Sequence, residues 1–224
     1  MTLTVARLAR IVTMNTQLLK DLSVEDLLQY HPLLNAQGFP FGKGRKVKPI
    51  KARPINTILD KGDSAHSVWE KLLLATLEGH ETLRRDGFIC WGEGGDVWQQ
   101  KGDKLHGKYS PTEVDADGWT TFVPKPGDDA VMNVHQVTAN SGSLGPCGGF
   151  CVINPWWGDK RVVSAEVLAA AGVDPTACGL KPGDQVELFL HYGVEGDYVL
   201  QNLKDGKDTY RVAKAFYENT YENE

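Results

Sequence analysis

The amino-acid sequence predicts an α+β fold, and three observations predict it. Several short runs alternate apolar and polar residues, as half-buried strands do. Serine residues stand where they can cap short helices between these runs. The order of a strand, a Gly turn, an aromatic strand and a short helix occurs twice, in residues 86–109 and 196–221. With 224 residues, of which 41% are hydrophobic, the chain can bury a substantial core.

Residues 1–50 are predicted to be a helical N-terminal segment followed by a basic linker. Ser23 can cap a helix through its hydroxyl, and Asp26 stands at the third helical position. His31-Pro32 is expected to end this helix, because proline lacks an amide donor and restricts the preceding residue. The run 38–54 contains six basic residues, no acidic residue and several Gly and Pro breaks, which is typical of a linker.

Residues 51–125 are predicted to form a first hairpin-helix unit on a mostly antiparallel sheet. Its expected order is a strand at Ile55–Leu59, a helix capped by Ser64, a hairpin, a basic helix and a further strand. The hairpin places Gly92, Gly94 and Gly95 between its two strands. The final strand covers Trp119–Val123.

Residues 126–224 are predicted to form a second unit that contains a Gly- and Trp-rich insertion. A strand is expected at Val131–Val137, and Ser164 is expected to cap a short helix that stops at Gly172. The clearest strand in the chain is Val186–Tyr192, with apolar residues on one face. The second hairpin and helix follow it.

The two hairpin-helix stretches can be aligned, although the spacing of their first strands differs by two positions. Trp98 matches Tyr210, and Tyr109 matches Tyr221. In both stretches the tyrosine follows the earlier aromatic residue by eleven positions. A two-stranded hairpin cannot bury its own face, so the helix that follows must cover it. Aromatics at these positions are therefore expected mainly in the core.

These stretches resemble the PGDYG-type module found in small bacteriophage and prophage proteins of unassigned function. Thr76-Leu77-Glu78-Gly79 and Gly87-Phe88-Ile89 carry the first match. Gly196-Asp197-Tyr198-Val199 and the pairs Phe216-Tyr217 and Thr220-Tyr221 carry the second. The first stretch departs at Asp86 and at Gln99-Gln100. The resemblance implies a phage-type origin and a compact hairpin-plus-helix unit, and it implies no catalytic residues.

Charge and composition limit the classes of function. The net charge of -5 argues against a protein whose whole surface grips nucleic acid. No apolar run reaches the ~18 residues of a membrane-spanning helix, so a cytoplasmic protein is expected, in the host cell if it is phage-encoded. The four cysteines are irregularly spaced, which favours reduced thiols over a disulfide framework. No cofactor is expected.

The leading hypothesis is a non-enzymatic accessory protein that binds a host protein or sequesters a small ligand, in order to counter a host defence. Tryptophans are abundant between Trp91 and Trp157, and indoles are favoured at recognition surfaces. Self-association into a homo-oligomer stays open. The predicted binding residues are Trp91, Trp98, Trp156, Trp157, Lys43, Arg45 and Lys46.

Two alternatives come from other classes of function. Cys147 lies between glycines whose amides could stabilise an oxyanion, and His135 could hold its thiolate, as in a thiol-dependent enzyme. The basic stretch Lys43–Arg53 could contact nucleic acid. A metal site made from Cys147, Cys151, Cys178 and His135 is not predicted, because the paired spacing of structural zinc sites is absent.

Overall fold

A computed structural model describes most of the chain, and its contacts divide into two compact units. Unit 1 comprises Met1–Gly42 and Asn133–Lys214, and unit 2 comprises Lys43–Met132 and Ala215–Glu224. These bounds differ from the contiguous segments expected from the sequence, because the C-terminal strand pairs with a strand at residues 42–46. The described residues are 22–34, 39–58, 73–76, 79–83, 86–127, 130–141, 144–154, 157–204 and 206–224.

Unit 2 contains a five-stranded antiparallel sheet with the strand order β6-β5-β2-β8-β7. Two further antiparallel pairs, β1 with β15 and β3 with β4, accompany it. The strands are β1 (Gly42–Lys46), β2 (Ile50–Pro54), β3 (Leu73–Thr76), β4 (Gly79–Thr82), β5 (Gly87–Gly92), β6 (Val97–Lys101), β7 (Tyr109–Val114), β8 (Thr120–Pro124) and β15 (Tyr221–Asn223).

The inner face of this sheet forms the core of unit 2. Ile50 and Ala52 alternate with the outward-facing Lys51, and across the sheet they pair with Phe122 and Cys90. The helix α3 (Gly102–Lys108) adds Leu105 to this core. All of these inner-face side chains are almost fully buried, as expected for the apolar face of a sheet.

Two predictions in this region are wrong. The basic stretch 38–54 is not a linker, because residues 42–46 and 50–54 form the strands β1 and β2. Residues Ile55–Ile58 form the short helix α2 and not a strand, since Thr57 Oγ1 donates to the carbonyl of Pro54 and closes a turn there. The helix expected after Ser64 lies outside the described residues.

Unit 1 is also built on antiparallel strands. One sheet has the order β10-β12-β11, and β13 lies between β14 and β9 in another. The strands are β9 (Val131–Gln136), β10 (Gly149–Asn154), β11 (Asp159–Ser164), β12 (Gln185–Val194), β13 (Tyr198–Asn202) and β14 (Thr209–Val212). The helices are α1 (Val24–Tyr30) and α4 (Ala165–Ala170), and 3-10 turns cover Ala139–Ser141 and Pro175–Cys178.

The predicted helix caps of unit 1 are confirmed. Ser23 Oγ accepts a hydrogen bond from the Asp26 amide at 3.1 Å, and α1 ends at His31. Ser164 Oγ accepts from the Val167 amide at 3.3 Å at the start of α4. The predicted strand Val186–Tyr192 lies within β12. The predicted helical residues before position 22 lie outside the described residues.

The two stretches that correspond in sequence have the same order of elements. The first runs β5, β6, α3 and β7, and the second runs β13, β14, the helix α5 (Lys214–Thr220) and β15. Both helices are seven residues long, and a tyrosine begins the strand after each, Tyr109 in one and Tyr221 in the other. The protein is thus a mixed α and β fold with antiparallel sheets.

None of the helices in the described residues has the length and apolar character that crossing a membrane requires.

Candidate functional site

Lys46 of unit 2 projects its ammonium group among three aromatic rings. Its Nζ lies 5.2 Å from the ring centroid of Trp98, 5.3 Å from that of Tyr109 and 5.5 Å from that of Tyr221. A cation at this distance from a ring face is attracted by the negative face of the π system. Tyr109 and Tyr221, the matching residues of the two hairpin-helix stretches, therefore contact the same cation.

The local secondary structure places each ring. Lys46 and Tyr221 are direct partners in the β1–β15 ladder, so their side chains share one face. Trp98 is the partner of the buried Cys90 in the β5–β6 ladder and therefore faces the core. Tyr109 is the C-cap of α3, with its amide donating to the carbonyl of Leu105, and its side chain belongs to the core cluster of unit 2.

Tyr221 is further fixed by the preceding helix. The ring of Tyr217 stacks on it with centroids 5.0 Å apart and an interplanar angle of 4°. The Tyr217 hydroxyl donates to Asn223 Oδ1 at 2.7 Å. Phe216 on the same helix packs against Gly94, where a Cβ would lie 2.8 Å from its ring. The first hairpin turn and the helix that carries Phe216 therefore pack against each other.

Asp96 brings a carboxylate to the same region from the β5–β6 turn. The amide of Gly92 donates to the Asp96 carbonyl at 2.9 Å, and Gly95 turns the chain with a φ of 82°. A Cβ on Gly92 would lie 2.1 Å from Asp96 Oδ1, so glycine is required for the carboxylate to lie there. Oδ1 is buried, and among the described residues it has no hydrogen-bond partner.

Burial raises the pKa of the Asp96 carboxyl above its usual range, while a backbone hydrogen bond and the Lys46 ammonium oppose the rise. Burial likewise raises the pKa of the neighbouring Cys90 thiol to about 12, and Lys46 again opposes it. The Lys46 ammonium thus favours the ionised form of both groups. Cys90 stays a protonated thiol at neutral pH and so offers no nucleophile.

Tyr109 supplies the third polar group. The residue is 2% exposed, and within the described part of the chain its hydroxyl has no hydrogen-bond partner. Burial raises the pKa of this hydroxyl well above its usual range, and Cys90 and Asp96 add to the rise. The hydroxyl therefore stays protonated and can both donate and accept.

These residues form what we call the Lys46 site: Lys46, Asp96, Trp98, Tyr109 and Tyr221. No described residue accepts a hydrogen bond from the Lys46 ammonium, and the Tyr109 hydroxyl and Asp96 Oδ1 are also unpaired. Leaving a buried polar group unpaired costs about 1–3 kcal/mol, and folded proteins rarely do so without a bound water or ligand. The site is therefore suited to hold a polar molecule.

No protein-family model, curated protein or solved structure matches this chain. The resemblance to PGDYG-type modules stays a prediction, and the case for a function rests on the geometry of the molecule.

The structure brings together two of the predicted binding residues, Lys46 and Trp98. Trp91 lies on the outer face of the sheet and is 49% exposed. Its ring meets that of Trp119 edge to face, with ring centroids 6.0 Å apart. In unit 1, Trp157 packs on the buried His191 with ring centroids 4.2 Å apart. Trp156 lies outside the described residues.

The other basic residues of β1 and β2 are held in surface contacts. Arg45 Nε lies 2.6 Å from Glu224 Oε1, and its Nη1 donates to the Gly127 carbonyl at 2.7 Å. Lys51 Nζ lies 2.7 Å from Asp115 Oδ2. Lys43 is exposed on β1. Most of this basic stretch is thus paired with acidic or carbonyl groups, which leaves less positive charge available to a phosphate backbone.

The structure does not couple the predicted thiol pair. His135 stacks on Phe39 with ring centroids 4.5 Å apart, and burial lowers the pKa of its imidazole. Cys147 is half-buried in its Gly-rich loop, and within the described residues no hydrogen bond joins it to His135. The loop needs glycine for packing, since a Cβ on Gly145 would lie 2.0 Å from the Tyr30 carbonyl oxygen. The thiol enzyme stays an untested hypothesis.

Sequence reasoning missed Asp96 and placed Tyr109 and Tyr221 only in the core. Both tyrosines are indeed buried, at 2% and 8% exposure. The available signal was the matching position of the two tyrosines, which nothing in the sequence connected to Lys46. No three metal-ligating side chains converge anywhere in the described ranges.

Proposed function

We propose that this protein is a non-enzymatic binding protein that holds a small polar ligand at the Lys46 site. The observation that carries the proposal is an ammonium group among three aromatic rings, one of which is the ring of Tyr109, whose buried hydroxyl has no partner in the described residues. Trp98 and Tyr109 belong to an apolar core cluster, and a few polar groups in apolar surroundings are the usual composition of a ligand site. The site holds no activated nucleophile, which favours binding over catalysis.

The resemblance to PGDYG-type modules extends the proposal to biological context. A phage-type protein of this kind would act in the cytoplasm of the host cell. By sequestering a small host molecule it would counter a host defence that depends on that molecule. No metal or other cofactor is part of this proposal.

The test compares two lysine variants. Purified protein is mixed with the small-molecule fraction of a bacterial extract and dialysed, and the retained molecules are identified by mass spectrometry. We expect the wild-type protein and Lys48→Met to retain the same molecule, because Lys48 is half-exposed and only 3.9 Å from Glu93 at the surface. Lys46→Met should retain none. Retention of nothing by the wild type, or equal retention by Lys46→Met, would contradict the proposal.

The lysine variants must also be compared in stability. Replacing Lys46 by methionine removes a cation–π contribution of about 0.5–2 kcal/mol but fills the same apolar surroundings. We therefore expect the free energy of unfolding in urea to change by less than ~1.5 kcal/mol. Loss of ligand without loss of fold then identifies the ammonium group itself.

A second candidate, the binding of a protein partner, is favoured by the exposure of Trp91. This side chain lies between Val97 and Lys51 on the outer face of the sheet, where burial in the core does not account for an indole. Exposed tryptophans of this kind often dominate interface energies. Trp91→Ala should abolish capture of a host protein and leave ligand retention unchanged. Equal capture by the variant would remove this candidate.

A further inference from the structure

We propose that the 22–34 segment of unit 1 is released from strand β10 when the solution becomes acidic, and that protonation of His31 triggers the release. The proposal concerns a region outside the Lys46 site, so it does not depend on the proposed ligand binding. Two features of the structure support it: the way in which the segment is attached, and the surroundings of the His31 imidazole.

The 22–34 segment is attached to the rest of unit 1 by few polar contacts. The Cys151 amide donates to the Pro32 carbonyl at 2.9 Å, and the Leu34 amide donates to the Cys151 carbonyl at 2.8 Å. These two hydrogen bonds form an isolated parallel bridge to β10. At the other end of the segment, an arginine of β11 donates to the Leu22 carbonyl at 2.8 Å. The segment can therefore leave without breaking the ladder between β10 and β12.

Apolar packing supplies the rest of the attachment. Leu27 of α1 and Leu33 are buried, and they belong to the same core cluster as Cys151 and Leu190. Release would expose this apolar surface to water, which opposes opening at neutral pH. An additional cost of staying attached is thus needed to shift the balance toward release.

His31 lies where the segment meets β10. The residue is 1% exposed. Its imidazole lies directly on Gly149, the first residue of β10, where a Cβ would be 2.3 Å from Nε2. The Gly-rich loop before β10 is equally close to the end of α1, since a Cβ on Gly145 would clash with the Tyr30 carbonyl oxygen. Backbone therefore closes in the ring on this side.

These surroundings suit a neutral imidazole and disfavour a charged one. Nδ1 of His31 is buried and has no hydrogen-bond partner among the described residues, so a proton added there would have no acceptor. Burial lowers the pKa of this imidazole to about 4. The titratable side chains of the elements around it are Glu25, Asp26 and Tyr30 of α1, Cys147 and Cys151 of the loop and β10, and Glu195 beside the loop.

The lowered pKa sets the direction and the range of the response. A histidine exposed to water has a pKa of about 6.5, so the released segment binds the proton more tightly than the attached one. Attachment is therefore strongest above pH 6.5 and weakens as the pH falls from 6.5 toward 4. Uptake of one proton on release raises the ratio of released to attached forms about tenfold per pH unit.

A second buried histidine of unit 1 provides the comparison. His191 is 1% exposed, its Nε2 donates to the Trp157 carbonyl at 2.9 Å, and its Nδ1 has no partner in the described part of the chain. Burial lowers its pKa to about 4, and Arg211 adds to this effect while the Trp157 carbonyl and Asp208 oppose it. It lies on β12, the central strand of its sheet, and so reaches water only when the sheet opens. His31 needs only the local release.

The experiment measures amide hydrogen exchange in the full-length protein by nuclear magnetic resonance from pH 7 to pH 4.5, corrected for the intrinsic exchange rate. The Leu34 and Cys151 amides report the attachment, because they form the bridge to the segment. The amides of β12 report the opening of the sheet. We expect the protection of the two reporter amides to fall about tenfold per pH unit below pH 6.5. At every pH they should exchange faster than the amides of β12.

Three variants identify the group that responds. His31→Gln keeps a polar side chain that does not titrate in this range, so the pH dependence at the two reporter amides should disappear. The control His106→Gln replaces an exposed histidine of unit 2 and should keep the wild-type dependence. Gly149→Ala should displace the imidazole and leave both reporter amides weakly protected already at pH 7, with the amides of β12 still protected.

Two kinds of result would overturn the proposal. Protection that does not change with pH, or that falls equally in His31→Gln, would show that His31 is not the trigger. Reporter amides that exchange only as fast as those of β12 would show that the segment leaves only with global unfolding, and this comparison needs no variant. Ligand retention is measured separately by dialysis, so the failure of either proposal leaves the other standing.

Discussion

Two aspartates in the turns of this protein have opposite environments. Asp197 in unit 1 is 4% exposed, and Arg211 donates to its Oδ2 from Nε at 2.8 Å and from Nη2 at 2.7 Å. The amide of Val194 also donates to Oδ2, and the amide of Lys214 donates to Oδ1. Asp96 in unit 2 keeps a buried Oδ1 with no partner in the described residues.

The difference distinguishes a structural carboxylate from one available to a ligand. Asp197 belongs to the Gly-Asp-Tyr sequence of the second hairpin, and its hydrogen bonds connect the β12–β13 turn to β14 and to the start of α5. Both of its carboxylate oxygens accept hydrogen bonds inside unit 1. Asp96 Oδ1 accepts no hydrogen bond from any described residue. The hydrogen-bond partners of the two carboxylates therefore distinguish their roles.

The largest effect should come from Asp197→Ala. It leaves the guanidinium of Arg211, whose side chain is 17% exposed, without its carboxylate, and it leaves the Val194 and Lys214 amides without an acceptor. Breaking one side of a buried ion pair costs about 3–5 kcal/mol. We expect a loss of this size in the free energy of unfolding measured in urea. The exposed Asp117→Ala, by contrast, should change it by less than ~0.5 kcal/mol. A loss below ~1 kcal/mol for Asp197→Ala would remove its structural role.

A pair of Tyr→Phe variants should show an intermediate difference. The Tyr192 hydroxyl of unit 1 donates to Asp159, which also accepts from Arg161 Nε at 2.8 Å. Tyr192→Phe removes this hydrogen bond to a charged group, so we expect it to lower the free energy of unfolding by about 1.5–3 kcal/mol. Tyr109→Phe removes a hydroxyl without a partner and should leave the free energy of unfolding unchanged or raise it by up to ~1 kcal/mol. Equal losses in the two variants would show that the Tyr109 hydroxyl is already bonded within the fold.

The smallest effect concerns pH. Burial raises the pKa of Asp96 in the folded protein above the unfolded value of about 3.9, so the folded state binds the proton more tightly. Stability from this group is therefore full below about pH 4 and declines as pH rises through the folded pKa. Asp96→Asn lacks this decline, so its stability relative to wild type should increase with pH across that range. Parallel pH profiles of the two proteins would show that the Asp96 carboxyl is not perturbed.

Local signals in the sequence predicted much of the fold. Ser23 and Ser164 identified the starts of α1 and α4, because a cap is a contact between residues three positions apart. The matching spacing of Trp98 to Tyr109 and of Tyr210 to Tyr221 identified two stretches with the same order of elements. Both features depend on neighbours in sequence.

The basic stretch shows where local reasoning fails. Glycines, prolines and six basic residues in 38–54 predicted a linker, yet Ile50 and Ala52 place β2 in the centre of a sheet. Lysines and arginines on its outer face are ordinary for a half-buried strand. Pairing with strands more than thirty residues away decided this outcome, and no local composition encodes such pairing.

By itself the sequence determined which segments would cap helices, turn at glycines and alternate as strands, because those preferences arise from contacts between near neighbours in the chain. Only the tertiary structure decided that Lys46, Asp96 and two equivalent tyrosines would meet. Their meeting depends on strand β15, at the C-terminus, pairing with β1. The partners of a polar group across such distances follow from packing, so the unpaired groups of the Lys46 site became visible only in the folded chain.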